Sequence, residues 1–343
     1  MPLKIRIQFY FPPQVKKFYN LKLNFFWCSL LEFKGLSYLD LEKPKLMIFC
    51  GKGGVGKTTC ATATALHFAR KGFKTLLIST DPTPSLSDIL EVYVKGQITD
   101  VKFVERLSAI ELDYELILKR WRERFGGEVY EVISSFLPVG EEIIDYIAGA
   151  PGLDEEFSLS YVLDLYESKN YDTIVWDTAP AGGTLSLLRL QDRFYRHLGE
   201  AARLYFRVRK AIEVLTKGTV KRDPISIISK WEQLVQRVFN MLKDEKTHTI
   251  IVTIAEALGV RMTERMLKEV EAFGMRVSKI LVNYIITEDM CMCDFHRERA
   301  AMQKHYLEIL KNMRGESMLS ILPQLPREVK GAKAVEKIEE LLF

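Results

Sequence analysis

Gly51-Lys52-Gly53-Gly54-Val55-Gly56-Lys57-Thr58-Thr59 is the stretch on which the reading of this chain turns. It fits the phosphate-binding loop pattern G-x-x-x-x-G-K-[ST], with Gly51, Gly56, Lys57 and Thr58 in register. Its glycines let successive backbone N–H groups turn inward around a polyphosphate. Lys57 then reaches the β- and γ-phosphates, and the Thr58 hydroxyl can sit on Mg²⁺. The flanks suit that reading. Leu46–Cys50 is a short apolar run, readable as a buried parallel strand, and residues 57–70 are Ala-rich, helical in pattern and stopped by Gly72. Strand, loop and helix N-terminus together make an anion site, because the helix dipole adds to the inward N–H groups.

The bulk composition sets the frame. At 343 residues, 48% hydrophobic and 27% charged, the chain reads as an ordinary soluble globular protein with room for a large core. The net charge of +4 is unevenly placed: residues 1–31 carry Lys4, Arg6, Lys16, Lys17 and Lys22 with no acid, so the remainder is slightly negative. A basic nucleic-acid-binding face on the main domain is therefore not expected. Five cysteines in so long a chain do not make a disulfide framework, and a reducing cytoplasm fits. No run of 18 apolar residues occurs that would span a bilayer. Asn and Gln are scarce beside Lys, Arg and Glu, as in heat-adapted proteins. Residues 1–44 form an extension of different character, and we read them as translated sequence upstream of the true start, with a membrane-surface anchor or an extra element as the alternatives.

From residue 45 strands and helices alternate, which predicts a doubly wound α/β domain with a mostly parallel sheet. Strands are expected at 46–50, 75–79, 173–176, 249–254 and 278–283. Two stretches, 104–148 and 185–246, lack strand pattern and are rich in helix formers, so a helical subdomain inserted in two pieces is expected. Within the second, Ile228, Trp231, Val235, Val238 and Leu242 fall on one helical face.

Three further segments end strands where such a sheet places its ligands. Asp81 follows Ser79-Thr80 and can orient or deprotonate a water attacking the γ-phosphate, although Asp is also a common helix cap, the reading preferred for Asp88. Asp177 ends an apolar strand before Thr178-Ala179-Pro180 and suits a second-shell Mg²⁺ partner, with Gly182 and Gly183 allowing a switch. Asn283 could pair both its amide groups with an adenine edge, while a turn-forming Asn is the plainer reading.

With these assembled, the chain resembles the arsenical pump-driving and tail-anchored-protein targeting ATPases, a family of phosphate-loop ATPases of the deviant class marked by a second lysine after the first glycine. The resemblance rests on Gly51–Thr59, Ser79–Asp88, Pro151-Gly152-Leu153-Asp154-Glu155, Asp177–Pro180, Val282-Asn283 and Leu322–Pro326 with Glu328-Val329 and Gly331, in family order from about residue 45 to the end. It implies a homodimer in which Lys52 crosses the interface to the partner's nucleotide, Asp81 handles the water, Asp177 sits in a second switch, and a helical subdomain offers an apolar groove to a client. ATP and Mg²⁺ follow as cofactors. The pattern departs from the family at Thr83-Pro84, at Ala181-Gly182-Gly183 and at Tyr284, where Ala-His, Thr-Gly-His and Gln are usual.

Two more features bear on function. Cys293 and His296 stand where the targeting branch carries a C-x-x-C pair that shares Zn²⁺ across a dimer, and Cys291 is an additional thiol. Zinc, arsenite and free reduced thiols are the three readings. The arsenical pump ATPases generally carry two fused halves, whereas this chain has one phosphate loop. The expected function is thus a cytoplasmic ATPase that captures and delivers membrane proteins with a hydrophobic transmembrane tail, with a membrane receptor as a further partner. The alternatives are the energising subunit of an arsenite pump and a positioning ATPase.

Overall fold

The structure is a computed structural model and describes residues 43–81, 85–134, 138–149, 153–178, 224–287 and 293–343. Residues 1–42 of the extension, most of the second helical stretch, Pro82 to Pro84, Pro151, Gly152, Ala179 to Gly183 and Cys291 lie outside the described residues.

An eight-stranded sheet organises the chain, in the order β3-β4-β2-β5-β1-β6-β7-β8. Its strands are β1 (Leu46–Gly51), β2 (Thr75–Ser79), β3 (Thr99–Asp100), β4 (Leu107–Glu111), β5 (Thr173–Asp177), β6 (Thr247–Ile254), β7 (Val277–Ile285) and β8 (Leu319–Pro323). Every pairing is parallel except that of the edge strand β3 with β4. Alternation along the central strands divides the core. Met47 and Phe49 point to one face, which is covered by α1 (Lys57–Arg70) and the C-terminal helix Ala332–Leu342 through residues such as Ala61, Ala65, Phe68, Val335 and Ile338. Leu46 and Ile48 point to the other face, against Ile117, Trp121, Phe157, Val162, Val238 and Leu242. Helices on both faces of a parallel sheet are the doubly wound architecture the alternation predicts.

All five expected strands are present, with β5 extended by Asp177 and β6 and β7 longer than expected. Three were missed. β4 lies inside the stretch read as free of strand: its sequence Leu-Ser-Ala-Ile-Glu breaks the apolar run with Ser108 and Glu111. Both polar side chains are nonetheless buried, because Ser108 donates to Asp100 (2.7 Å) and Glu111 accepts two hydrogen bonds described below. β3 is only two residues long, and β8 is short and closed by Pro323.

The rest of that first stretch is helical: α2 (Leu86–Leu90) precedes it, and α3 (Tyr114–Trp121), a π-turn (Arg122–Gly126), α4 (Gly127–Ser134) and α5 (Glu142–Ala148) fill it. Asp113 caps α3 by accepting from the backbone N–H of Leu116 at 2.8 Å. After α6 (Leu153–Ser168) and β5, helix α7 (Pro224–Lys243) turns Ile227, Val238, Met241 and Leu242 inward. Trp231 is half-buried on that face and donates from Nε1 to Glu128 of α4 at 2.8 Å, which ties the two helical stretches together.

Candidate functional site

Parallel strands bring their carboxyl ends to one edge of the sheet, so segments far apart in sequence meet there. The central one is the loop between β1 and α1. Two of its glycines are sterically required. A Cβ on Gly51 would lie 2.2 Å from the carbonyl oxygen of Val252 on β6. Gly56, at φ 89°, would place a Cβ 2.3 Å from Nδ2 of Asn283. Close approach of the loop to its neighbours thus needs glycine at both ends. Gly56 is the N-cap of α1, and the first turn of that helix carries no acidic side chain. Its positive end therefore faces outward uncompensated.

Lys57 opens α1 but is only 4% exposed. Its Nζ stands 3.5 Å from Oδ2 of Asp81, which follows β2 in the adjoining layer of the site. Asp81 is brought there by its neighbour: Thr80 donates its N–H to the Asp177 carbonyl (3.0 Å) and accepts from Nε1 of the buried Trp176 (3.0 Å). Asp81 is therefore the partner of the loop lysine. Asp88 lies inside α2 rather than capping it; Ser85 holds the cap position.

Asp177 ends β5 between β1 and β2 and is fully buried. Its Oδ2 accepts from the hydroxyls of Thr58 (2.7 Å) and Ser79 (3.1 Å), while Oδ1 is buried with no hydrogen-bond partner among the described residues. Burial pushes the carboxyl up to about 7 against the opposing pull of the Thr58 hydrogen bond, the Lys57 charge and the Ser79 hydrogen bond. A buried acceptor with an unused lone pair beside a threonine hydroxyl is chemically suited to a hard divalent cation or its water. Ser85 completes this corner, donating to Thr58 Oγ1 at 3.3 Å.

Glu111 is a participant that motif reading did not find. It is 1% exposed at the end of β4, and it accepts from the Leu86 N–H (3.0 Å) and from Ser87 Oγ (2.8 Å). It thereby pins the start of α2, and with it Ser85, beside the loop. An acid closing a strand at the ligand edge was its available signal, hidden because that strand was not recognised.

Asn283 lies near the carboxyl end of β7. Its Nδ2 donates to the Val55 carbonyl at 2.9 Å, and its Oδ1 accepts from the Tyr284 N–H at 2.8 Å. Each amide group thus has a main-chain partner, and the side chain braces the phosphate loop. Around these residues lies a cavity of about 630 Å³ lined by Gly53, Lys57, Asp81, Asn283, Tyr284 and Pro323 among others. That volume is ample for a nucleotide. Gly54 and Thr59 line it too, whereas Lys52 is exposed at the loop's outer side and makes no ion pair among the described residues.

Cys293 and His296 sit elsewhere, at the start of α9 (Asp294–Arg314; α8 being Ala257–Ala272), with Sγ 3.0 Å from Nδ1. Two ligands are half of a tetrahedral zinc set. Among the described residues no group of three or more His, Cys, Asp or Glu is placed to hold a metal ion, so the zinc expectation gains no support.

The model of a family described as anion-transporting ATPase matches residues 44–343. Among curated proteins the chain is 30% identical over 317 residues to "ATPase ASNA1 homolog 1" of Paramecium tetraurelia, covering 89% of this chain and 94% of the relative. It is 31% identical to "ATPase ASNA1 homolog 2" of the same organism, covering 88% and 95%. It is 30% identical to "ATPase get3" of Botryotinia fuckeliana, covering 90% and 92%.

Proposed function

This chain belongs to the anion-transporting ATPase family and is an ATP hydrolase, and on that premise we propose that it works as a cytoplasmic homodimer that captures and delivers tail-anchored membrane proteins. The observation that carries the hydrolytic part is the meeting of Lys57, Thr58, Asp81 and Asp177 at the carboxyl ends of three neighbouring strands. The reading of the cargo rests on the match to single-unit relatives named GET3 and ASNA1, which this chain covers almost end to end. That end-to-end match favours a carrier over one half of a fused pump. Among the described residues no helix is long and apolar enough to cross a membrane.

In this proposal the triphosphate enters over the loop, and Lys57 turns from Asp81 toward the β- and γ-phosphates. The ion pair with Asp81 holds the lysine in place until then. Released from it, the Asp81 carboxylate is left to orient water for in-line attack. Thr58 and Asp177 are the residues that would hold Mg²⁺, which when bound neutralises charge developing on the phosphoryl oxygens. Gly51, Gly53, Gly54, Val55 and Gly56 would present backbone N–H groups to the phosphates, and Thr59, one residue beyond Thr58, lines the same cavity. Lys52 projects outward, as a lysine must to reach a partner subunit's nucleotide. The helical stretches 104–148 and 185–246 would form the subdomain that meets the client.

Two substitutions test the cycle. Asp81→Asn should keep ATP affinity within a few-fold while turnover falls about 10²–10⁴-fold; turnover near wild type would remove Asp81 from the water-handling role. Lys52→Ala should bind ATP yet lose most of its hydrolysis and its ATP-dependent shift to dimer in light scattering. An active Lys52→Ala protein would rule out the cross-subunit assignment. The cargo is tested by expressing Asp81→Asn beside a tail-anchored protein and a copy without its transmembrane segment. Selective recovery of the intact copy is expected. Recovery of neither, with wild-type hydrolysis raised by arsenite, would replace the carrier by the pump subunit.

A further inference from the structure

Tyr284 follows Asn283 at the ligand edge of β7 and holds a backbone conformation that a bulky residue avoids, with φ 59°. Such a left-handed tyrosine persists only where surrounding contacts impose it. Those contacts are present. Its N–H donates to Asn283 Oδ1 (2.8 Å), and its carbonyl accepts from Gln303 Nε2 (2.8 Å). The same Gln303 side chain accepts from the Ile286 N–H through Oε1 at 2.8 Å. Gln303 is a helix residue of α9, 3% exposed, and its amide is spent on this one kink. The pairing of β7 with β8 shifts register between Val282 and Ile285, so the kink is a bulge, the device by which a strand re-aims a side chain beside a site.

The re-aimed ring lines the nucleotide cavity together with Asn283, Leu322, Pro323 and Leu325. Its hydroxyl reaches the N-cap of α1: a Cβ on Gly56 would stand 3.4 Å from it. The residue remains 41% exposed, so it is not consumed by the core. It is a flat, half-open aromatic face next to the loop that holds the phosphates, with apolar walls beyond it. Packing alone does not require a tyrosine in a strained conformation to stay at an opening; an exposed β-bulge is more readily built with Gly or Asn.

We propose that Tyr284 is a nucleoside-binding residue, which packs its ring against the base or sugar of the bound nucleotide and favours a purine, and that Gln303 is the positioning residue that holds it there. The proposal rests on the site reading above. A larger base overlaps an aromatic face more fully than a pyrimidine does, and one stacking contact is worth roughly tenfold in affinity.

The test compares ATP with CTP, by fluorescent-nucleotide displacement and by steady-state hydrolysis, in wild type, Lys57→Ala, Tyr284→Ala, Tyr284→Gly, Tyr284→Phe and Gln303→Leu. Tyr284→Gly suits the left-handed backbone, so a folding defect cannot stand in for a binding one. Expected is a roughly tenfold fall in the ATP:CTP preference for Tyr284→Ala and Tyr284→Gly, seen in KM more than in kcat. Tyr284→Phe should retain the preference, and Gln303→Leu should lose part of it with its KM raised. Unaltered nucleotide binding in Lys57→Ala would overturn the site reading, and this inference with it. Lys57-dependent binding with the wild-type ATP:CTP ratio in both Tyr284→Ala and Tyr284→Gly would overturn the inference alone. A Gln303→Leu protein with the wild-type ratio would remove its positioning role.

Discussion

Lys57→Ala is expected to reduce ATP affinity and turnover each by at least about 10²–10³-fold, the range for deleting a preorganised charge from a water-poor site. The reason lies in how Lys57 is held. It is 4% exposed, and its ammonium lies 3.5 Å from Asp81 and close enough to Asp177 to pull that carboxyl's proton affinity down. No flexible surface lysine can stand in for it, because the only basic neighbour within the loop, Lys52, points to solvent. Removal also leaves Asp81 and Asp177 facing each other without a cation, so Asp177 should take up a proton more readily in the variant. Breaking a largely buried pair by deleting one partner costs stability as well, on the order of 3 kcal/mol. Isothermal titration with ATP, beside urea unfolding of both proteins, checks both parts. Retention of wild-type affinity would show that the lysine pairs with Asp81 for structure and that phosphate is held elsewhere. Lys57→Arg makes a useful companion: it keeps the charge but not the point-like ammonium, and should recover the stability more than the turnover.

Asp177→Asn should move activity and stability in opposite directions. In the nucleotide-free protein burial pushes the Asp177 carboxyl up to about 7, from an ordinary value near 3.8. The folded state therefore binds this proton more tightly than the unfolded chain does. Its contribution to stability is greatest below about pH 4 and is lost as pH rises to about 7; above that the ionised, buried carboxylate is a standing penalty. A shift of that size corresponds to on the order of 4 kcal/mol. Asparagine removes the titration, so the variant without nucleotide should be the more stable protein at pH 8, by a few kcal/mol at most, with the advantage fading by pH 5. Hydrolysis of Mg-ATP should nevertheless fall about 10²–10³-fold, because the amide cannot supply the anionic oxygen whose Oδ1 is left without a partner beside Thr58. Chemical denaturation of both proteins at pH 5 and pH 8 decides the first part. An equal stability gap at the two pH values would mean that Asp177 does not titrate between them.

These two residues illustrate the character of the site. A cation, two acids and a threonine hydroxyl are packed together, and the free protein keeps them in balance by pairing Lys57 with Asp81 and by holding Asp177 through Thr58 and Ser79. The incoming phosphates and the divalent ion proposed here would replace both arrangements at once. The nucleotide would thus be read by the protein as a change of partners at the ends of β1, β2 and β5.

Much of this was legible in the sequence because it is local. A loop that must turn its N–H groups inward needs glycines at set positions, and the apolar run before it and the Ala-rich helix after it can each be read within a few residues. Strands buried on both faces have to be apolar throughout, so β1, β2, β5, β6 and β7 were visible as runs, and the Asp or Asn closing three of the segments pointed to the ligand edge. The tertiary structure decided what depends on partners far away in the chain. β4 holds buried Glu111 only because the N–H of Leu86 and the hydroxyl of Ser87 satisfy it, and no periodicity announces a satisfied acid. Asn283 braces the phosphate loop only because folding brings Val55, 228 residues away, to its amide. The pairing of Lys57 with Asp81, the raised proton affinity of Asp177 and the strained turn at Tyr284 are likewise consequences of burial and of which groups meet there. Composition and spacing specify which backbone shapes a segment can adopt; the energy of a polar group is set by its neighbours, and those neighbours exist only once the sheet is assembled.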